Sequence, residues 1–273
     1  MIEYNDNRIK DDYLYHYTSM NKAFEYILKN MSLRFSPFVN VNDPKESKKR
    51  DIGFNFISPH LYNNIGDYRN RMNQILLHDS RLLCFAEDGS DGRLKGRGQF
   101  YYRGFFKLRM WSQYGDDHRG VCLGFDRNIL FEEFSKIKAI KSYRSRVKYT
   151  NSTEGYWQSG MLDYNPIDLD DFTSHLINSH IPSYRDTIYF TKALDWKDEN
   201  EYRLLLLVES GSNEIFIDIS KALKRVVLGI EFPHVYLESL KKLLNDVKSN
   251  AEIMQIDIRN GGIPEIIVHW ELT

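Results

Sequence analysis

Two carboxylates, Glu199 and Glu201, open an apolar run that ends at Val208, in the segment WKDENEYRLLLLV. The run Leu204–Val208 reads as a buried strand. Residues i and i+2 of a strand look the same way, so the spacing predicts both carboxylates on one face. Charges beside a core need either partners or a cleft. Two uses therefore stay open. The pair supports a developing cation and deprotonates an acceptor, or Glu201 simply pairs with Arg203 in an ion-pair network.

The chain has 273 residues, enough for one large domain or two small ones. Its net charge of −1 sets up no overall field toward nucleic acid or a membrane, so such binding needs a local patch. Cys84 and Cys122 lie in the strand-like runs LLCF and GVCLGF, the setting of buried free thiols. Without a CxxC pair, zinc and thioredoxin chemistry are not expected, and the 8 histidines lack metal-ligand spacing. The first residues are polar, with no apolar signal-peptide core, and Leu204–Val208 is too short to span a bilayer. These features predict a reduced cytoplasmic protein that avoids membranes.

Tyr13–Tyr17 alternates and reads as a strand, followed by a helix capped at Thr18 or Ser19 with the stripe Met20, Ala23, Phe24, Ile27 and Leu28. Leu33–Ser36 reads as a short strand stopped by Pro37, and Asp43-Pro44 as a turn or helix start. Helical patterns cover 51–78, 127–135 and 234–247. Strand patterns cover 81–86, 120–126, 139–149, 186–191, 201–208, 214–218, 225–230, 252–259 and 265–272. Strands outnumber helices and do not alternate with them, which predicts α+β in a single domain over 1–273.

Residues 87–108, rich in glycine, and the polar stretch 150–182 read as insertions. Within 93–109, Arg93, Lys95, Arg97, Arg103, Lys107 and Arg109 interleave with aromatics and meet no acid. That pattern fits either a nucleic-acid or acidic-protein contact or a loop whose aromatics dock on the body. No GxGxxG, P-loop, HExxH or GxSxG motif occurs. His16 suits a hydrogen bond to a ribose hydroxyl or ligand carbonyl, or to backbone. Trp111 and Tyr114 suit a cleft or a core.

Taken in order, LYHYTS, LRFSPFVNVNDPKE, CFAE, MWSQYGDDHRGVCLGFD and DWKDENEYRLL resemble a bacterial family known as a domain of unknown function, over about 14–208. That family is distantly similar to the ADP-ribosyltransferase superfamily. The resemblance implies an α+β fold with a split, mostly antiparallel β-core and peripheral helices. It implies NAD as substrate, and a toxin or antiviral-defence effector that modifies nucleic acid or protein. Carried over, His16 matches the first-strand histidine that holds the ribose, and Phe35 and Ser36 the second-strand position. Glu201 matches the catalytic glutamate and Glu199 the upstream member of its pair. Tyr17 and Tyr114 are candidates to stack on nicotinamide, and Arg34 to neutralise a pyrophosphate or pair with an acid. The alternatives are an NAD glycohydrolase, with water as acceptor, and a non-enzymatic nucleic-acid-binding protein.

Overall fold

The computed structural model describes residues 12–55, 59–89, 100–153 and 156–270. The chain begins with β1 (Tyr13–Thr18), β2 (Ser32–Arg34), β3 (Ser36–Pro37), β4 (Gly53–Phe54) and β5 (Ser80–Ala86). β6 (Val121–Asp126), β7 (Lys141–Arg146), β8 (Lys148–Tyr149), β9 (Met161–Leu162) and β10 (Thr191–Lys192) follow. β11 (Glu201–Leu207), β12 (Phe216–Asp218), β13 (Leu223–Leu228), β14 (Glu252–Arg259) and β15 (Ile263–Trp270) complete the set. The main sheet runs β15-β14-β13-β6-β1-β5-β11-β7, with β3 also on β5. Its neighbours are antiparallel except β13 and β14. This is a mixed α and β fold around a mostly antiparallel sheet.

β11 explains the unbroken aliphatic run. Leu204 and Leu206 join the core on one face, and Leu205 and Leu207 the core on the other. A strand covered on both faces loses the apolar-polar alternation of a half-exposed one. On the first face lie helices over 20–28, 127–135 and 237–246, contributing Ile27, Phe134 and Leu240. The second face carries two separate clusters. Helices over 59–79 and 169–189 pack Tyr68, Phe172 and Tyr189 against Leu205 and Leu207. Phe105, Phe106 and Trp111 pack against Tyr15 and Tyr17. Between the two clusters lie Cys84, Arg203 and Glu201.

The sheet also opens at this place. β1 pairs with β6 from Tyr13 to Thr18, but with β5 only at Tyr15 and Ala86. β3 takes up the same edge of β5 at Leu82. In the interval, His16 Nδ1 lies 3.0 Å from the Cys84 carbonyl, where a strand partner would otherwise bond.

Both stretches that read as insertions are packed into the fold. In the described part of 87–108, Phe100, Phe105 and Phe106 are core, and buried Arg103 pairs with Asp88 at 2.8 Å. Gly104 N–H donates to the same Asp88 at 2.6 Å, so the acid-rich end of β5 holds this segment down. Arg93, Lys95 and Arg97 lie outside the described residues. The stretch 150–182 supplies Leu162 of β9, Phe172, Leu176 and Ile181 to the second-face core, and its helix runs through 186–189, where a strand was expected. Its polar residues form the outer side of a helix whose apolar positions recur at helical spacing, a pattern hidden by the composition.

A turn with three left-handed residues joins the helix Leu108–Tyr114 to β6. Asp116, Asp117 and His118 all have left-handed backbone, with φ of 54°, 48° and 68°. Glu231 N–H donates to the His118 carbonyl at 3.0 Å. A Cβ on Gly229 would stand 2.0 Å from that carbonyl oxygen. Gly229→Ala is therefore expected to lower stability by about 1–3 kcal/mol, as overpacking does. Urea unfolding measures it, and an unchanged midpoint would show that the two backbones do not meet this closely.

Candidate active site

A cavity of about 870 Å³ lies where the sheet opens. Its wall includes His16 and Tyr17 of β1, Ser36 of β3, Cys84 of β5, Tyr114, Glu199 and Glu201. Arg34 also borders it. Phe35 does not: it is 1% exposed and stacks on Phe134 in the first-face core. Successive residues of extended backbone face opposite ways, so only Ser36 of that pair meets the cavity.

Register separates His16 from Glu201. Tyr15, Ala86 and Glu201 stand opposite one another across β1, β5 and β11, and so share a face. His16 lies on the other face, opposite Leu123. Both border one cavity because β1 and β5 part between them.

Glu199 and Glu201 are brought together by a turn, not by strand periodicity. Glu199 ends the short helix Leu194–Glu199, Asn200 is left-handed with φ 46°, and Glu201 begins β11. Asparagine tolerates that backbone. Its side-chain amide donates to the carbonyls of Glu87 and Asp88, each at 3.0 Å, which anchors the turn to the end of β5. Lys192 of β10 then bridges the pair, its Nζ 2.7 Å from Glu199 Oε2 and 2.9 Å from Glu201 Oε2.

The residue that shares Glu201's face in the strand is Arg203, and that ion pair is formed. Arg203 donates from Nε to Glu201 Oε1 at 2.7 Å and from Nη2 to Oε2 at 3.1 Å. The same guanidinium grips both oxygens of Glu46 at 2.6 and 2.8 Å and the Tyr189 carbonyl at 2.5 Å. Glu46 sits in the helix Pro44–Ser47, whose first turn Asp43 caps through Lys45 N–H at 2.9 Å. Tyr114 donates its hydroxyl to Glu199 Oε1 at 2.8 Å, and Glu201 N–H donates to the Tyr149 hydroxyl at 2.8 Å.

All five charged groups are buried: Glu46, Glu199 and Glu201 against Lys192 and Arg203. The cluster holds three acids against two bases, but Glu46 does not border the cavity, where Glu199 and Glu201 meet Lys192 and Arg203. Burial pushes the Glu201 carboxyl up, but Arg203 and Lys192 outweigh it and hold the group down at about 2. Burial prevails at Glu46, whose carboxyl is raised despite Arg203. Burial also works against the Lys192 charge, but the carboxylates, Glu201 foremost, raise it above its ordinary value.

His16 is held neutral, since burial lowers its pKa. A carbonyl oxygen only accepts, so the contact with Cys84 assigns the proton to Nδ1. Nε2 is then an acceptor, suited to a ribose hydroxyl and not to a ligand carbonyl. Tyr17 offers the cavity its ring alone: its hydroxyl donates to the Gly104 carbonyl at 2.6 Å and accepts Lys107 N–H at 3.2 Å. Arg34 pairs with Glu214 near the mouth. Arg109 donates to the Asp195 carbonyl at 2.9 Å.

Sequence reasoning missed Glu46 and Lys192 as members of this cluster. The helix start at Asp43-Pro44 signals where Glu46 begins to turn inward. Lys192 has no such signal, because a lone lysine in a sequence reads as surface. Among the described residues, no cluster of His, Cys, Asp or Glu could hold a metal ion, and no helix is long and apolar enough to cross a membrane.

Comparison with curated proteins finds no match, and comparison with solved structures finds none. One family model does match, over the segment that carries Tyr114, Lys192, Glu199, Glu201 and Arg203. Residues 110–204 of this chain are similar to the family described as "Protein of unknown function (DUF2971)".

Proposed function

We propose that the cavity binds NAD and that the chain is an ADP-ribosyltransferase-like enzyme that cleaves the nicotinamide–ribose bond. One observation carries the reading: His16, Tyr17, Ser36, Tyr114, Glu199 and Glu201, drawn from distant segments, border one cavity, with both carboxylates buried. Its volume falls in the range of small-molecule and cofactor sites, about 300–1,000 Å³. Loss of nicotinamide builds an oxocarbenium-like cation on the ribose, as glycoside hydrolysis does. A fixed negative charge in a water-poor site stabilises that cation more than the neutral ground state of the sugar. Glu201, locked by Arg203 and Lys192, supplies the charge without reorienting. Glu199, held by Tyr114 and Lys192, lies beside it to orient the acceptor. His16 Nε2 accepts from a ribose hydroxyl. The aromatic faces of Tyr17 and Tyr114 flank the nicotinamide ring.

A second reading, hydrolysis with water as the acceptor, draws its support from Arg103 and Arg109 of the basic aromatic segment. Arg103 is buried against Asp88 and Tyr15, and Arg109 is tied to the backbone. These cations serve the fold, and water needs no docking surface. A nucleic-acid or protein target in a defence setting remains the transfer counterpart of the same donor site.

The test is incubation of the purified chain with NAD labelled in both halves. Nicotinamide release is expected, with free ADP-ribose as the other product for hydrolysis. A lysate-bound label, sorted by RNase or protease sensitivity, indicates transfer. No binding by calorimetry and no release at high NAD would remove the reading.

A further inference from the structure

The mouth of the cavity carries two large aromatic side chains that the chemistry above does not use. Tyr26 is 63% exposed and Phe216 49% exposed, and both border the cavity. Each has a cation beside it for a structural reason. Lys22 stands four positions before Tyr26 on the helix over 20–28, so the two are neighbours on one helix face. Phe216 of β12 stands directly opposite Arg34 of β2, so their side chains leave the same face of that strand pair. Lys22 and Arg34 both border the cavity.

The inner end carries the buried cluster of Glu199, Glu201, Lys192 and Arg203, and the mouth carries Lys22, Arg34 and its partner Glu214 beside the two exposed rings. Exposed rings beside cations suit one ligand chemistry, a nucleobase with its phosphate.

We propose that the cavity mouth is a nucleobase–phosphate subsite, in which Tyr26 and Phe216 stack a base while Lys22 and Arg34 hold its phosphate. The base is that of the donor dinucleotide, an assignment that rests on the NAD reading. The adenylate end then lies at the surface, and the nicotinamide end reaches the buried acids. Arg34 exchanges part of its pairing with Glu214 for the phosphate.

Calorimetric titration with AMP probes the mouth, and titration with nicotinamide mononucleotide probes the inner end. Both are run on the wild-type chain and on a Tyr26→Ala, Phe216→Ala double variant. The replaced rings are exposed, so the fold is retained. Loss of stacking is expected to weaken AMP by about tenfold or more, with nicotinamide mononucleotide bound equally by both proteins. Equal AMP affinity in the two proteins, or no AMP binding by the wild type, overturns the subsite. AMP binding that depends on the two rings, without any binding of the mononucleotide, upholds the subsite and removes the NAD reading. A single-stranded oligonucleotide that binds through these rings where AMP does not would overturn the assignment to the donor.

Discussion

Arg203→Met is expected to destabilise the fold by about 3–5 kcal/mol, the usual result of removing one partner from a buried ion pair. Arg203 is 0% exposed and neutralises both Glu46 and Glu201. Methionine fills much of the space but leaves two carboxylates facing each other with Lys192 as their remaining cation. Arg203→Lys is not conservative here, because an ammonium cannot fork between two carboxylates as a guanidinium does. Urea unfolding at neutral pH measures the loss, and a wild-type midpoint would show that the cluster does not hold the two halves of the second face together.

The same variant has a pH signature. In the wild type, Glu201 is held at about 2, below its unfolded value. Its contribution is therefore complete above the ordinary carboxylate range and is lost as pH falls toward 2. Without Arg203, both Glu46 and Glu201 are buried acids that prefer their protons, so their folded pKa values lie above the unfolded ones. Their stability contribution is then present at low pH and lost as pH rises. The gap between variant and wild type is expected to shrink on acidification. A gap independent of pH would point to lost packing as the cause.

Glu201→Gln keeps the shape of the side chain and removes its charge. NAD cleavage is expected to fall by about 10²–10³, the usual loss for one preorganised electrostatic group. The amide oxygen still accepts from Arg203, so the native circular dichroism spectrum is expected to persist at moderate temperature. Glu199→Gln is expected to impair transfer to an acceptor while sparing hydrolysis. Full turnover by folded Glu201→Gln protein would take Glu201 out of the chemistry and leave it as a clamp on Arg203. Equal loss of both reactions in Glu199→Gln would instead assign Glu199 to the donor site.

Local patterns in the chain announced most of the elements, because periodicity is a property of neighbours in sequence. β1, the helix after it, β5, β6, β11, the helix 127–135 and the closing pair β14 and β15 all follow from alternation, helical stripes and turn residues. The Glu199–Glu201 pair and His16 stood out for the same reason. They are charged or titratable groups set into apolar runs, a local anomaly.

Tertiary structure decided the rest. Glu46 meets Arg203 across 157 positions of chain, and Asn200 meets Glu87 across 113. Distances of that kind leave no period to read. The basic aromatic segment looked like a loop because its glycines and cations are loop residues by composition. Only Asp88 and Tyr15, brought up beneath it by β5 and β1, turn Arg103 inward. The two carboxylates are close for a reason no strand pattern contains: Asn200 takes a left-handed turn and Lys192 arrives on a separate short strand between them. The single register contact between β1 and β5 determines that His16 and Glu201, on opposite faces of one sheet, border the same cavity. Strand register is set by the packing of whole faces, so it is decided when the core forms.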